Sequence, residues 1–572
     1  MKKNIIKSIA NSILSHYILW ICGGVFICTI YTILNFYLSY GNLFYTDTDP
    51  YTRALRIFDW IQNFQIYEKI FPYSNYPFGD ILHFTRGMDI IWTVLSIPFI
   101  IFMPLKKAIF YGGMLIPPLF MFLSLSVIFW GLKPYIKDNC KNHKSILIAL
   151  LLLIIIPFKL TAIFDIDRPD HHAIMFFIFA TNISMILNQL HYKKEHLLIW
   201  GGILSGIGIW LSSAIEGFLL IGSILTILCL NWIFFDQKIE GIIKYLKGLF
   251  ISCTISYLLN PPYGGYLILD NSRLSIIHVV ICFLMLITFI IIKQANVSNK
   301  KTKILSLIIG TTISLTILVL LFDTKIFSSI YQDKILNLFI NRITEMTNIQ
   351  IYFYLFTVEA LFIIGCIFFT KKIPVYIFNI IILFFIYLIP SILVGRFFYY
   401  EVTTLIYLNI IFVIHIFNKI EKSDLHKIIA FTYLIFNIFA IITVRYNRSY
   451  TVIPNLQGVV LTDIFIAPQM VFEQPTYSIG FPYHTNIKGI TDNHTILFTT
   501  NEEELKQLLK EHSVEYIYLP KQLDYKYYLN PHLNTNKLYG KIITNQVDYI
   551  WLEKISKETD KYYLYKINYS KF

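Results

Sequence analysis

The stretch "YTDTDPYTRALR" (45–56) lies a few residues past a long apolar run and sets Asp47 and Asp49 beside Arg53 and Arg56. A second stretch, "FDIDRPDHHA" (164–173), holds Asp165, Asp167, Arg168, Asp170, His171 and His172 just before another apolar run. Further ionisable residues sit at the ends of other apolar runs: His83 and Arg86; Glu216 in "SSAIEG"; Arg342 and Glu345 in "NRITEM"; Arg396 and Glu401 in "VGRFFYYE". Two or three carboxylates with an imidazole make an oxygen-rich donor set suited to Mg²⁺ or Mn²⁺. Such an ion polarises phosphate oxygens and stabilises a leaving group. Arginines nearby grip phosphate through paired N–H donors, and a carboxylate outside the metal shell can serve as general base. The chemistry described is transfer from a lipid-linked phosphate or pyrophosphate donor.

Each signal taken singly has a plain alternative. Most Asp-x-Asp triplets are solvated loop acids, adjacent histidines at a helix start often only cap it, and an Arg after a span is usually an interfacial anchor. The acids at 502–504 read as first-turn charge meeting a helix dipole. The functional reading rests on co-location, because charges at membrane edges are costly and mark functional sites.

The elements that must bring these residues together are membrane spans. The 572 residues are 56% hydrophobic and 15% charged, with mean hydropathy +0.59; soluble domains carry roughly 25% charged residues. Spans of about 20 residues are expected near 17–39, 109–131, 145–162, 171–189, 197–212, 215–235, 245–260, 274–293, 304–322, 353–370, 373–394, 403–418 and 428–445. The short run 90–104 ends in Pro104 before Lys106 and Lys107 and reads as re-entrant or interfacial. With the N-terminus in the cytoplasm, every Lys-rich loop falls inside; a full span at 90–104 would invert that pattern. The net charge of +13 thus reflects inside loops rather than nucleic-acid binding. The first run is too long for a signal peptide and reads as a first span. Six of the seven Cys lie in apolar runs and none forms a CxxC, so neither a disulfide framework nor a zinc site is suggested.

The expected architecture is a multi-span α-helical membrane protein with about thirteen transmembrane helices and a small soluble α/β domain at its C-terminus. Residues 1–445 form the membrane domain, with large outer loops at 40–108 and 323–352, and 446–572 the soluble domain. Within the latter, "GVVLTDIF" and "SVEYIYLP" read as strands. "TTNEEELKQLLKEH" reads as a helix whose Thr500 cap and Glu503 form a capping box.

On these residues the chain resembles the catalytic subunit of oligosaccharyltransferases, of the GT-C superfamily of membrane glycosyltransferases. "TDPYTR" is similar to the family's first-loop Asp motif and puts the equivalence on Asp49. "NYPFGDILHF" (75–84) matches a Tyr-Pro-x-Gly element, and "PDHHAIMFF" matches Asp-x-His with Asp170 and His172. "RITE" matches a motif closing on Glu345, and "GRFFYYEVTTLIYL" an Arg-Phe pair with Arg396. The resemblance implies that Asp49, Asp170 and His172 hold the metal, that Asp49 and Glu345 are catalytic, and that Arg396 binds the donor phosphate. Asp47, His83, Asp165, Asp167, His171, Glu216 and His484 are further candidates. The family's Trp-Trp-Asp-Tyr-Gly motif, which reads the acceptor hydroxyl, is missing. In its region "GFPYHTN" (480–486) offers Tyr483 and His484 as a replacement, or a turn with a packed Tyr.

The expected function is metal-dependent transfer of a sugar or oligosaccharide from a polyprenyl-(pyro)phosphate donor at the periplasmic face of a bacterial cytoplasmic membrane. The acceptor is open: a protein, a glycolipid or a polysaccharide. A transferase using a lipid-monophosphate sugar is the second enzyme reading. A lipid-linked sugar transporter or flippase is the reading from another class. Transporters put charges at the bilayer midplane, often in repeated halves; here they cluster at one face and no internal repeat is visible. A non-catalytic assembly protein with a degenerate site is the third.

Overall fold

The computed structural model describes residues 17–64, 67, 70–139, 160, 164–212, 215–270, 272–322, 351–368, 374–394, 397–417, 433, 451–483, 485–521 and 537–572. The helices, in chain order, begin with α1 (Tyr17–Tyr40), α2 (Thr48–Asn63), α3 (Arg86–Ile100), α4 (Leu105–Met114), α5 (Ile116–Asn139), α6 (His171–Tyr192) and α7 (Leu197–Leu211). Then follow α8 (Ile215–Phe234), α9 (Ile239–Leu259), α10 (Ile276–Gln294), α11 (Lys300–Phe322), α12 (Ile351–Phe368), α13 (Val375–Leu393) and α14 (Phe398–Phe417).

Nine helical stretches among the described residues are long and apolar enough to cross a bilayer, and two further apolar helices, α7 and the Phe356–Ile367 part of α12, are shorter. Together they coincide with eleven of the expected spans; those near 145–162 and 428–445 lie almost wholly outside the described residues. The run at 90–104 falls largely in α3, a 15-residue helix, shorter than a span needs. It packs on α4 through the Trp92 indole, which donates to the Ile109 carbonyl at 2.7 Å.

Two helices are central. The apolar windows of α6 and α14 are 83% and 89% buried, against 6% for α11. Polar side chains stitch the central pair: the hydroxyls of Ser184 and Tyr407 are 2.6 Å apart, and Tyr407 donates to the Ala180 carbonyl at 2.7 Å. Such bonds replace the hydrophobic drive that lipid cannot supply between helices. Close approach serves the same end at α7 and α9. A Cβ on Gly202 would collide with the Tyr245 carbonyl, and one on Gly248 with the Ile199 carbonyl.

The C-terminal α/β unit contains β1 (Gly458–Leu461), α15 (Ala467–Glu473), β2 (Thr476–Ser478), α16 (Ile487–Phe498), α17 (Glu502–Glu511), β3 (Tyr516–Pro520), α18 (Leu538–Ile543), β4 (Leu552–Lys554) and β5 (Tyr562–Ile567). The sheet order is β2-β1-β3-β5-β4. The first three strands are parallel and the last two antiparallel to their neighbours. The expected β–α–β alternation is present. The cap of α17 is a correction: Asn501 fills it rather than Thr500, accepting from the amides of Glu503 and Glu504, while the Thr499 hydroxyl donates to Glu504. An Asn side chain reaches the second and third helical amides as well as a hydroxyl does, so the helix starts one residue later.

The edge strand β2 is extended by the segment between α2 and α3. Ser478 N donates to Tyr73 O at 3.0 Å, Tyr76 N to Ser478 O at 3.2 Å and Asn75 N to Ile479 O at 3.0 Å. This pairing covers an edge that would otherwise be open to other chains. It also explains the "NYPFG" element. Asn75 and Gly79 adopt positive φ (53° and 74°) around a cis Tyr76–Pro77 bond, and the Asn75 amide donates to the Gly79 carbonyl at 2.9 Å. His512 lies against the same turn, with Nδ1 at 2.5 Å from Tyr76 O and Nε2 at 2.9 Å from Asp492 Oδ2.

Burial pushes the Asp492 carboxyl up, but hydrogen bonds from His512 and Lys488 outweigh it and hold the group below the usual carboxylate range. A depressed carboxylate contributes stability that is present above its unfolded pKa, about 3.9, and lost as pH falls through the folded value. Asp492→Asn is therefore expected to lower the thermal midpoint at neutral pH and to flatten its decline below about pH 4. Unfolding of the full chain in detergent from pH 7 down to pH 3 measures this; identical acid limbs in wild type and variant would contradict it.

Candidate functional site

Asp170 ends an extended segment (φ −133°, ψ 162°) and caps α6. Its Oδ1 accepts from the His171 amide at 2.6 Å and lies 2.5 Å from the His171 ring Nδ1. Its Oδ2 lies 3.4 Å from His172 Nε2. Ligand atoms of Asp170, His171 and His172 all fall within 4.8 Å of one another, and all three residues are buried.

The trio is backed by Glu216, in the first turn of α8 and 2% exposed. Glu216 Oε2 is 3.2 Å from His171 Nε2 and accepts from Ser212 Oγ at 2.8 Å. Its Oε1 is 3.3 Å from His172 Nδ1 and accepts from Tyr400 Oη at 2.7 Å. The two histidines thus differ. Both nitrogens of His171 face carboxylate oxygens, so His171 bridges Asp170 to Glu216. His172 is held at Nδ1 by Glu216 and presents Nε2 beside Asp170 Oδ2, the spacing of two donors to one ion. A carboxylate on the far nitrogen fixes tautomer and orientation in metal-binding histidines. The donor set of carboxylate oxygen and imidazole therefore fits a divalent cation.

Asp47 and Asp49 separate clearly. Asp47 caps α2, accepting from Thr48 N at 2.7 Å, and pairs with Arg168 Nε at 2.9 Å. Asp49, in the first turn of the helix, faces the other way: its Oδ1 accepts from the hydroxyl of Tyr483, which also lies 2.8 Å from Thr52 Oγ1. Burial first, then the Asp47 and Asp170 carboxylates, push Asp49 up to about 6, against the pull of Arg53 and His171. Asp170 moves the opposite way: burial raises it, but the two histidines outweigh that and hold it well below the usual range. Asp49 and Asp170 thus share one electrostatic neighbourhood.

Of the other expected residues, His83 packs its ring between Phe84 and Tyr483. Asp165 and Asp167 are buried in the loop before α6, where the Asp167 carbonyl accepts from Thr46 N at 3.1 Å. Arg56 and Arg86 turn to Asp89 at 2.7 and 3.2 Å, a buried cluster. Glu401 accepts from Thr357 at 2.8 Å. Arg342, Glu345, Arg396 and His484 lie outside the described residues. Sequence reasoning missed Tyr400, Ser212 and Asp89. Tyr400 stood inside a stretch read for its arginine, and Ser212, at the end of α7, lies four residues before Glu216 in the chain.

No family model and no curated protein matches the chain by sequence. Solved structures do. The archaeal oligosaccharyltransferase AglB from Archaeoglobus fulgidus, in complex with an inhibitory peptide and a dolichol-phosphate, superposes with TM-score 0.64 at 13% identity, over 95% of this chain and 74% of that one. The same organism's enzyme tethered to an acceptor peptide containing the NVT sequon gives 0.63 at 13% identity, over 97% and 74%. Its complex with zinc and sulfate gives 0.56 at 14% identity, over 87% and 68%. The fold is that of an oligosaccharyltransferase. The expected multi-span helical architecture, with a small C-terminal sheet, is therefore present.

Glu216 orients both histidines, so its loss should weaken a cation held by their neighbours. Glu216→Gln puts an amide N–H against a histidine nitrogen or a hydroxyl in place of an acceptor. Partners of this kind typically contribute roughly 10–100-fold to metal affinity. Titration of Mn²⁺ into metal-stripped protein is expected to show a loss in that range, with the thermal midpoint changed far less; equal affinities would contradict the assignment.

Proposed function

We propose that the protein is a metal-dependent glycosyltransferase, oligosaccharyltransferase-like, that moves a sugar or oligosaccharide from a polyprenyl-(pyro)phosphate donor to an acceptor at the periplasmic face of a bacterial cytoplasmic membrane. The observation that carries this reading is the Asp170–His171–His172 trio, set beside Asp49 and backed by Glu216, in a chain with the oligosaccharyltransferase fold. The neighbours' dolichol-phosphate, acceptor peptide, and zinc and sulfate support a lipid-linked donor, an acceptor and a divalent ion for this chain too.

Asp170 and His172 are the residues to hold Mg²⁺ or Mn²⁺, with Asp49 as third ligand and His171 as the bridge that fixes Asp170. Bound there, the ion supplies Lewis-acid charge against the leaving phosphate. Asp49 orients the acceptor and takes up its proton as the acceptor's heteroatom bonds to the anomeric carbon. The bond from that carbon to the phosphate oxygen breaks, and polyprenyl phosphate or pyrophosphate leaves with the bonding pair. Tyr483 steadies the Asp49 carboxylate from the C-terminal side. Glu345 and Arg396 keep the catalytic and phosphate-binding roles that the resemblance implies.

The test follows release of lipid phosphate from a panel of polyprenyl-linked sugars by purified protein in nanodiscs, with Mn²⁺, Mg²⁺ or EDTA. Release is expected with metal and lost in EDTA, and Asp49→Ala is expected to reduce it by about 100-fold or more, the scale of general-base contributions. Binding of lipid-linked sugar without turnover of any donor would overturn the enzyme reading in favour of a transporter.

A further inference from the structure

Most arginines at this face are matched to carboxylates: Arg56 and Arg86 to Asp89, Arg168 to Asp47. Arg53 is not. It is 2% exposed, and its guanidinium lies over the Phe84 ring at 4.0 Å. Its Nη2 comes within 3.4 Å of His171 Nδ1. That nitrogen is only 2.5 Å from Asp170 Oδ1, and with its proton committed there it has no lone pair to offer. Arg53 Nε has no hydrogen-bond partner, and no ion pair engages the side chain among the described residues.

A cation taken out of water costs several kcal/mol unless it is paired, and an aromatic face returns only about 0.5–2 kcal/mol. The site nonetheless keeps a guanidinium. Arg53 stands four residues after Asp49 on α2 and so lies on the same helical face. Its field is felt by both Asp49 and Asp170. A divalent ion on those acids would cancel their charge and leave the guanidinium uncompensated beside the metal. The group that answers both is a phosphate: its several oxygens can meet the metal and the planar fork of N–H donors together.

We propose that Arg53 is a phosphate-binding residue of the site, gripping the phosphate of the polyprenyl-linked donor. The inference rests on the donor reading above and names a residue on the first outer loop, separate from Arg396.

The experiment measures binding rather than turnover. The full chain in nanodiscs, with Mn²⁺ present, is titrated with polyprenyl phosphate, with the matching polyprenol and with inorganic pyrophosphate, for wild type, Arg53→Gln and Arg53→Lys. Wild type is expected to prefer polyprenyl phosphate over polyprenol. A charged hydrogen-bond donor of this kind accounts for roughly ten- to a hundred-fold in affinity, so Arg53→Gln should lose most of that preference. Arg53→Lys, which keeps charge without the fork, should lose part of it, and it carries the test if the Gln variant does not fold. Mn²⁺ affinity should not fall in either variant, because a phosphate-binding arginine is not a metal ligand and its charge opposes that of the ion. Pyrophosphate binding with the same dependence on Arg53 would assign the contact to the phosphate itself; pyrophosphate binding indifferent to Arg53 would assign it to the lipid-borne group. Polyprenyl phosphate binding unchanged in both variants, or an equal loss for polyprenyl phosphate and polyprenol, would overturn the proposal and leave Arg53 a packing residue. A wild type that does not distinguish the phosphate from the alcohol would overturn the donor reading together with it.

Discussion

Glu216 is one carboxylate, almost wholly buried, with two histidine rings and two hydroxyls around its oxygens. It sits in the first turn of α8, the histidines open α6, and Tyr400 is in the first turn of α14. A single group therefore sets the distance and rotation of three helices at one end of the bundle. An unmet carboxylate at that depth would be costly, and losing one partner would leave the others misplaced. The central helices are the most buried for the same reason: they must carry polar groups to the membrane edge and keep them away from lipid.

The second constraint is the joint between the helical bundle and the C-terminal α/β unit. Loop 70–80 pairs with the edge of the C-terminal sheet, while the loop after β2 returns Tyr483 to the acids of α2. Both contacts fall on the stretch that runs from α2 to the start of α3. The backbone pairing gives the joint its register, since a one-residue slip would reverse every side chain. The Tyr483 contact then places a group of the C-terminal unit directly on Asp49. The Trp-Trp-Asp-Tyr-Gly motif is missing from this region, so Tyr483 is where the C-terminal unit meets the site by another route.

What the sequence made legible follows from how local each signal is. Long apolar runs read as helices because their pattern is carried by twenty successive residues. Asp170 reads as a helix start because capping is a local device. The resemblance puts the equivalence on Asp49; in the structure Asp47 caps α2 and pairs with Arg168, while Asp49 accepts from Tyr483. Glu216 ranked low because its partners come from helices far away in the chain, and nothing near it announces them. Arg56 and Arg86 looked like phosphate ligands beside the acids, yet Asp89, just before the short apolar run and given no role from the sequence, pairs with both. The shift from Thr500 to Asn501 is smaller: either residue can cap, and the chain chose the amide. Strand β4 is three residues long with two of them exposed, so its pairing with β5 is fixed by the sheet rather than by its own sequence.

The central claim is that Asp170 and His172, oriented by Glu216 and His171, hold a divalent cation. Pulsed electron paramagnetic resonance on Mn²⁺ bound to the metal-stripped protein tests it most directly. The account predicts hyperfine coupling from one directly bound histidine nitrogen, abolished by His172→Ala and retained in His171→Gln with a weaker ion. Bound Mn²⁺ without nitrogen coupling, or a coupling that disappears with His171 and survives the loss of His172, would contradict it.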